Sequence, residues 1–137
     1  MKIDDEIGRF SEARRAILSS VNADGTPHLV PIVFARVDDT LVTAIDWKPK
    51  STQKLKRLEN IRADPAVSLI VDNYSENWKD LWWIRAGGSA EVIDADTDRG
   101  RTAIAALVKK YEHYTPTPPD GPVIVISKLT WRSWQAS

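Results

Sequence analysis

Apolar positions along this chain fall into two kinds of pattern. Near the start and in two later stretches they recur at helical spacing; elsewhere they form short runs broken by Gly, Pro and Asp. Ile3, Ile7, Phe10 and Ile17 keep a 3.6-residue period with Arg14 and Arg15 off the stripe, which predicts an amphipathic helix over residues 3–18. Residues 16–21 also read as strand, so the helix end stays open and a short strand is placed at 17–22. Asp24-Gly25 is a hairpin signal. A long strand over 26–37 follows, carrying Pro27 and Pro31, and two prolines in one strand imply an edge, a bulge or a bend. Asp38-Asp39 turns the chain into a third strand at 40–45, completing an expected antiparallel meander.

Ser51 stands where it can cap a helix running to about Ala63, with Leu55, Leu58 and Ile61 on its buried stripe. Asp64-Pro65 stops that helix. Residues 67–71 are apolar throughout and predict a central strand; 72–80 form a polar loop. Residues 81–93 predict a long strand interrupted at Gly87-Gly88 by a bulge or close approach. Asp96 or Thr97 caps a third helix bearing Ile104, Leu107, Val108 and Tyr111 on one face. A loop with four prolines spans 115–122. A core strand at 123–126 and an extended segment at 128–134 close the chain. The first strands leave no room for parallel crossovers, so the pattern favours a small closed barrel over a doubly wound sheet.

Composition narrows the chemistry. A chain of 137 residues suits one domain, 1–137, with one core. It has no Cys, which excludes a disulfide scaffold, a cysteine-ligated metal and a thiol nucleophile. No apolar run approaches the length of a membrane helix, and the acidic start lacks a signal-peptide stretch, so a cytoplasmic protein is expected. The two histidines, His28 and His113, are too few and too far apart to suggest a metal site. There is no Walker loop, Gly-x-Gly-x-x-Gly or Gly-x-Ser-x-Gly motif. Asp94, Asp96 and Asp98 read as acids favoured at a helix N-terminus.

Net charge is zero, but residues 48–62 hold six basic residues against one acid, Glu59, a local charge of +5. Lys48, Lys50, Lys54 and Arg57 approach a helix start, where backbone N–H groups already favour an anion, and Ser51 and Thr52 add hydroxyl donors. A solvated helix face is the plainer reading of the same charges. The stretch 25–31, with His28, Val30 and Pro31, is the second signal: a ribbon splayed by prolines on which a flat ring can lie. The third is Trp82, Trp83 and Arg85. Strand alternation puts Trp83 and Arg85 on one face and Trp82 on the other.

Taken in order, these segments resemble the pyridoxamine 5′-phosphate oxidase-like split β-barrels, a mainly β fold with added helices that binds FMN and related cofactors. Residues 26–34, Thr-Pro-His-Leu-Val-Pro-Ile-Val-Phe, resemble the family's second strand. Lys48-Pro49-Lys50-Ser51-Thr52, with the helix and strand that follow, is similar to its phosphate-binding turn. Trp82-Trp83-Ile84-Arg85-Ala86-Gly87-Gly88-Ser89-Ala90-Glu91-Val92 is similar to its Trp-rich strand. Trp131-Arg132-Ser133-Trp134 is similar to an actinobacterial subgroup that uses the deazaflavin coenzyme F-420.

The resemblance implies a homodimer with its cofactor at the subunit interface, and hydride transfer between reduced F-420 and an unsaturated small molecule. Lys48, Lys50, Ser51 and Thr52 would hold the cofactor phosphate, and Lys54 and Arg57 the oligoglutamate tail. His28, Val30 and Pro31 would lie along the ring. Asn60 would steady the turn or touch the cofactor, and Trp83 would reach the site from the neighbouring subunit. An FMN-binding oxidoreductase and a non-catalytic cofactor carrier are the alternatives. No nucleic-acid or membrane partner is expected.

Overall fold

The computed structural model describes residues 1–45 and 52–137, with 52–55 described in backbone alone. Helix α1 is Ile3–Glu12, its first turn carrying Asp4, Asp5 and Glu6 where the helix dipole favours acids. It ends six residues before the position its apolar spacing predicts. From Ala16 to Val21 the chain is strand β1, buried at every second residue. That period of two places Leu18 in the core and lets β1 pair with two neighbours, which a continuing helix would forfeit.

The remaining strands are β2 Pro27–Ile32, β3 Ala35–Val37, β4 Thr40–Ala44, β5 Ala66–Asn73, β6 Trp82–Ile93 and β7 Val123–Gln135. Helices α2 Thr52–Ala63 and α3 Asp98–Lys110 complete the fold, and Thr97 caps α3 by accepting the Gly100 N–H. All seven strands form one antiparallel sheet in the order β2-β1-β5-β6-β7-β4-β3.

That order corrects the expected meander. The long strand over 26–37 is two strands, β2 and β3, which lie at opposite edges of the sheet and are separated in sequence only by Val33 and Phe34. So short a link spans about 10 Å, and the two edges must therefore approach each other, curling the sheet into a barrel. Phe34 is fully buried at this seam, tilted against the Phe10 ring 5.2 Å away. The Tyr111 hydroxyl accepts the Phe34 N–H (3.2 Å) and lies 3.0 Å from the Phe34 carbonyl and 2.9 Å from that of Arg14. Thr43 donates to the Val33 carbonyl at 2.7 Å.

Inside the barrel, Phe10, Leu18, Leu41, Leu69, Ile84, Ile124 and Ile126 are almost completely buried, and Leu58 and Ile61 of α2 join that core. A second core lies outside the barrel wall, where Ala103 and Leu107 of α3 cover Ala35, Val42, Val123 and Val125. The register between β6 and β7 shifts at Gly88, but the extra residue is on β7: Lys128 and Leu129 stand opposite Gly88 alone, so the bulge lies on β7 and the glycines mark the close approach. A Cβ on Gly88 would meet the Ser127 carbonyl at 2.6 Å, so the close approach needs glycine. Within the bulge Lys128 takes φ 55°, and the predicted segments at 123–126 and 128–134 form one strand around it.

Lys110 ends α3 with its Nζ buried, without a hydrogen-bond partner, 3.8 Å from the centre of the Phe34 ring. Burial first, and the nearby Arg14 guanidinium second, lower its pKa from 10.5 to about 8.

Two predictions follow from the seam. Tyr111→Phe leaves the buried Phe34 N–H without an acceptor and should destabilise the fold by about 1–3 kcal/mol in urea unfolding. Lys110 binds its proton less tightly folded than unfolded, so its contribution to stability rises with pH between about 8 and 10.5. Lys110→Met should remove that component of the stability–pH curve and make the protein more stable at pH 7. An unchanged curve would contradict it.

Candidate functional site

Asn22–Thr26 is the hairpin loop joining β1 to β2, with Gly25 at φ 86° and the Asn22 N–H donating to the Thr26 carbonyl at 2.9 Å. Asn60, buried on α2, donates to Ser20 Oγ (3.2 Å) and Asn22 Oδ1 (3.0 Å), and so ties the helix to this hairpin. This contact is with the β1–β2 hairpin; the turn at 48–51 that Asn60 was expected to steady lies outside the described residues. The partners of Asn60, Ser20 and Asn22, carried no signal in the sequence, since Ser19-Ser20 in an otherwise apolar strand reads as filler.

His28 faces Ser20 across the β1–β2 ladder. It is half-buried, and its Nδ1 is buried without a partner. Val30 packs against the barrel core on the same face. Pro31 points the other way and is exposed, beside exposed Leu29. A ring lying flat on either face thus touches His28 and Val30 or Pro31, but a ring at the strand's free edge reaches all three.

That edge is open. β2 is a terminal strand of the sheet, and Pro27 and Pro31 have no N–H to give β1, so their backbone groups face outward. The Asn22–Thr26 bond fixes the same phase. The outward-facing groups are the Leu29 N–H and the carbonyls of Pro27, Leu29 and Pro31.

One helical turn before Asn60 stands Arg57. Read from sequence as part of a charged face, it is instead 6% exposed, with its Nε buried and unpartnered. Burial depresses its pKa. It makes no ion pair among the described residues. A buried guanidinium without a counter-ion costs several kcal/mol, which an anion seated against it would offset. Lys56 and Arg62 on the same helix are exposed. Lys48, Lys50 and Ser51 lie outside the described residues, as do the side chains of Thr52 and Lys54.

Trp83 lies on the outer face of the sheet, as alternation predicts, with the Arg85 guanidinium 5.3 Å from its ring centre. Trp82 turns inward against the core, under Arg9. The outer face also carries half-buried Ile17 and exposed Leu29, Ile70 and Trp134. Sequence reading missed this patch because its members are spread over five strands. A cavity of about 430 Å³ opens there, lined by Ile17, Ile70, Tyr74, Trp83 and Trp134 among others. Among the described residues no three His, Asp or Glu side chains converge as a metal site, and no helix is long and apolar enough to cross a membrane.

Comparison with known proteins places this geometry. No curated protein matches the chain. Among solved structures, a conserved hypothetical protein from Mycobacterium tuberculosis superposes with a TM-score of 0.77 at 18% identity, covering 98% of this chain and 85% of that one. The heme storage protein HutZ from Vibrio cholerae gives 0.71 at 15% identity, covering 98% and 95%. A FAD-binding protein from Mesorhizobium loti gives 0.62 at 19% identity, covering 97% and 93%. At these identities they establish a shared fold. The family model described as pyridoxamine 5′-phosphate oxidase matches residues 3–135, nearly the whole chain, and the protein belongs to that split-barrel family.

Proposed function

We propose that this chain is a deazaflavin-dependent oxidoreductase, transferring a hydride between reduced coenzyme F-420 and an unsaturated small molecule. The observation that carries the reading is Arg57, a buried cation with no acidic partner among the described residues. It stands one turn from the Asn60 tie to the hairpin that bears His28. Arg57 Nε and His28 Nδ1 are buried polar atoms without hydrogen-bond partners, which a phosphate-bearing ring would satisfy.

On this reading Arg57 grips the phosphate, a tighter role than the tail contact first expected of it. Lys48, Lys50, Ser51, Thr52 and Lys54 surround the same group, and His28, Val30 and Pro31 border the ring at the β2 edge. The bound coenzyme supplies the redox chemistry, which accounts for the lack of an acid–base dyad. The protein's part is to fix the ring and exclude water. The +5 segment favours F-420, whose glutamyl tail is polyanionic, over FMN, which has one phosphate. A homodimer would cover the open sheet face, bury its apolar patch and bring Trp83 to the partner's ring. An FMN enzyme and a non-catalytic carrier use the same groove and differ in ligand preference and turnover.

Fluorescence titration should show F-420 binding more tightly than FMN; the reverse order would replace this reading with the FMN one. Hydride transfer to a panel of enones and quinones should be measurable, and binding with no turnover would favour the carrier. Lys50→Ala should weaken F-420 binding at least 10-fold, the loss of one charge-assisted contact at about 1.5–3 kcal/mol, while Lys109→Ala on α3 should not.

Inorganic phosphate should raise the melting temperature of the wild type. It should leave that of Arg57→Met unchanged, although the variant folds at least as stably without ligand. Equal phosphate shifts would remove Arg57 from the site.

A further inference from the structure

On the α3 side of the barrel, away from the open sheet face, two cations crowd one aromatic cluster. The Lys110 Nζ lies 3.8 Å from the centre of the Phe34 ring and 5.3 Å from that of Tyr111, and the Arg14 guanidinium lies 4.7 Å from the centre of the same Tyr111 ring. Arg14 is held at both ends. Its Nη2 donates to the Lys110 carbonyl at 3.0 Å, and its own carbonyl lies 2.9 Å from the Tyr111 hydroxyl. Neither cation has an acidic partner among the described residues.

The two groups differ in solvation. Arg14 is exposed, whereas the Lys110 Nζ is buried without a hydrogen-bond partner. An ammonium so placed loses its hydration, finds no acceptor for its N–H donors and stands near a second cation; the ring faces return only part of that cost. Loss of the proton relieves both penalties. Burial first and Arg14 second bring the pKa to about 8, so roughly a tenth of the amine is free at pH 7. Desolvation of this kind is what turns a lysine into a nucleophile near neutral pH.

We propose that Lys110 is a carbamate-forming site, which takes carbon dioxide at Nζ and pairs the product with Arg14. The nitrogen lone pair attacks the carbon of carbon dioxide, an N–C bond forms, one C–O π bond opens onto oxygen, and one proton leaves the nitrogen for solvent. The step needs no oxidant, reductant or leaving group. Its reactant is small and uncharged, so it enters apolar surroundings that would reject a charged reagent. The product reverses the local sign. An anion replaces a cation beside Arg14, whose guanidinium spends one hydrogen bond on the Lys110 carbonyl and keeps its other N–H donors for the two carboxyl oxygens. None of this depends on a cofactor at the β2 edge.

NMR of the intact protein in carbon-13-labelled bicarbonate at pH 8 tests the proposal. The wild type should give a carbamate resonance that Lys110→Met lacks, while any signal from the chain's α-amino group persists in both. Arg14→Gln should lower the occupancy of the Lys110 carbamate roughly 10-fold, the worth of one charge-assisted contact. In the wild type alone, O-alkylation followed by peptide mass spectrometry should trap the carboxyl group on Lys110. Bicarbonate, at fixed pH and ionic strength, should raise the melting temperature of the wild type and not that of Lys110→Met. Identical spectra for wild type and Lys110→Met, or trapped carboxyl groups only on other amines, would overturn the proposal. So would full occupancy in Arg14→Gln, or equal bicarbonate shifts in melting temperature for the wild type and Lys110→Met.

Discussion

The architecture depends on closure of the sheet at Val33-Phe34. Two residues hold together the opposite edges of a seven-stranded sheet, and a sheet edge left open there would expose both its backbone and its core. Tyr111 reaches in from the end of α3 to satisfy the Phe34 backbone, while the Phe34 ring meets Phe10, which in turn stands edge-on to Trp131 5.2 Å away. One buried contact chain thus links α1, the seam, α3 and β7. Helix α2 seats Leu58 and Ile61 in the core that this closure creates. The position of Asn60 against the β1–β2 hairpin, with Arg57 one turn earlier on the helix, is therefore a consequence of the seam.

Closure also makes the barrel two-sided. α3 covers the wall formed by β3, β4 and the first part of β7. The wall formed by β2, β1, β5, β6 and the rest of β7 keeps its outer face open. β7 serves both walls because its bulge at Lys128-Leu129, with a positive φ at Lys128 and Gly88 opposite, lets the strand bend and continue. Charge follows the same division. Among the described residues the ion pairs gather around α3, whereas Arg57 on α2 and Arg85 and Arg132 on the open face have no acidic partner. Self-compensated charge contributes little to stability and needs no ligand; uncompensated charge at a cavity is where a ligand anion is worth most.

What the sequence made legible was whatever depends on local period and local chemistry. The close approach at Gly88, the Thr97 cap, the Asp64-Pro65 stop and the opposite facing of Trp82 and Trp83 all follow from neighbours within a few residues, whereas the bulge itself falls on β7. The end of α1 was not legible, because Ile17 satisfies the helical stripe as well as it satisfies β1. Only pairing with β2 and β5 decides between them. The split of residues 26–37 was hidden for a similar reason. Residues 32–34, Ile-Val-Phe, continue an apolar strand pattern without a turn residue, and the break there is imposed by closure, a contact between positions far apart in sequence. At the site, charge pattern identified the basic helix but could not tell a buried guanidinium from an exposed one. Arg57 falls on the buried face because Leu58 and Ile61 set how α2 docks.

The burial of Arg57 separates two electrostatic roles that a count of charges merges. Exposed cations such as Lys56 and Arg62 act through solvent, where salt screens them within about 10 Å, so on the proposed reading they attract a polyanionic ligand without fixing its position. A guanidinium inside the α2–hairpin corner is screened far less and offers donors in a rigid plane. It has already lost its hydration, so contact with a phosphate there exchanges an unfavourable state for a favourable one instead of trading one solvated charge for another. On the proposed reading such an anchor would set where the ring stands relative to the β2 edge, and with it the distance over which a hydride would pass. The charge of the basic segment would then govern how fast and how salt-sensitively the cofactor arrives, and the buried arginine whether it arrives in register for reaction.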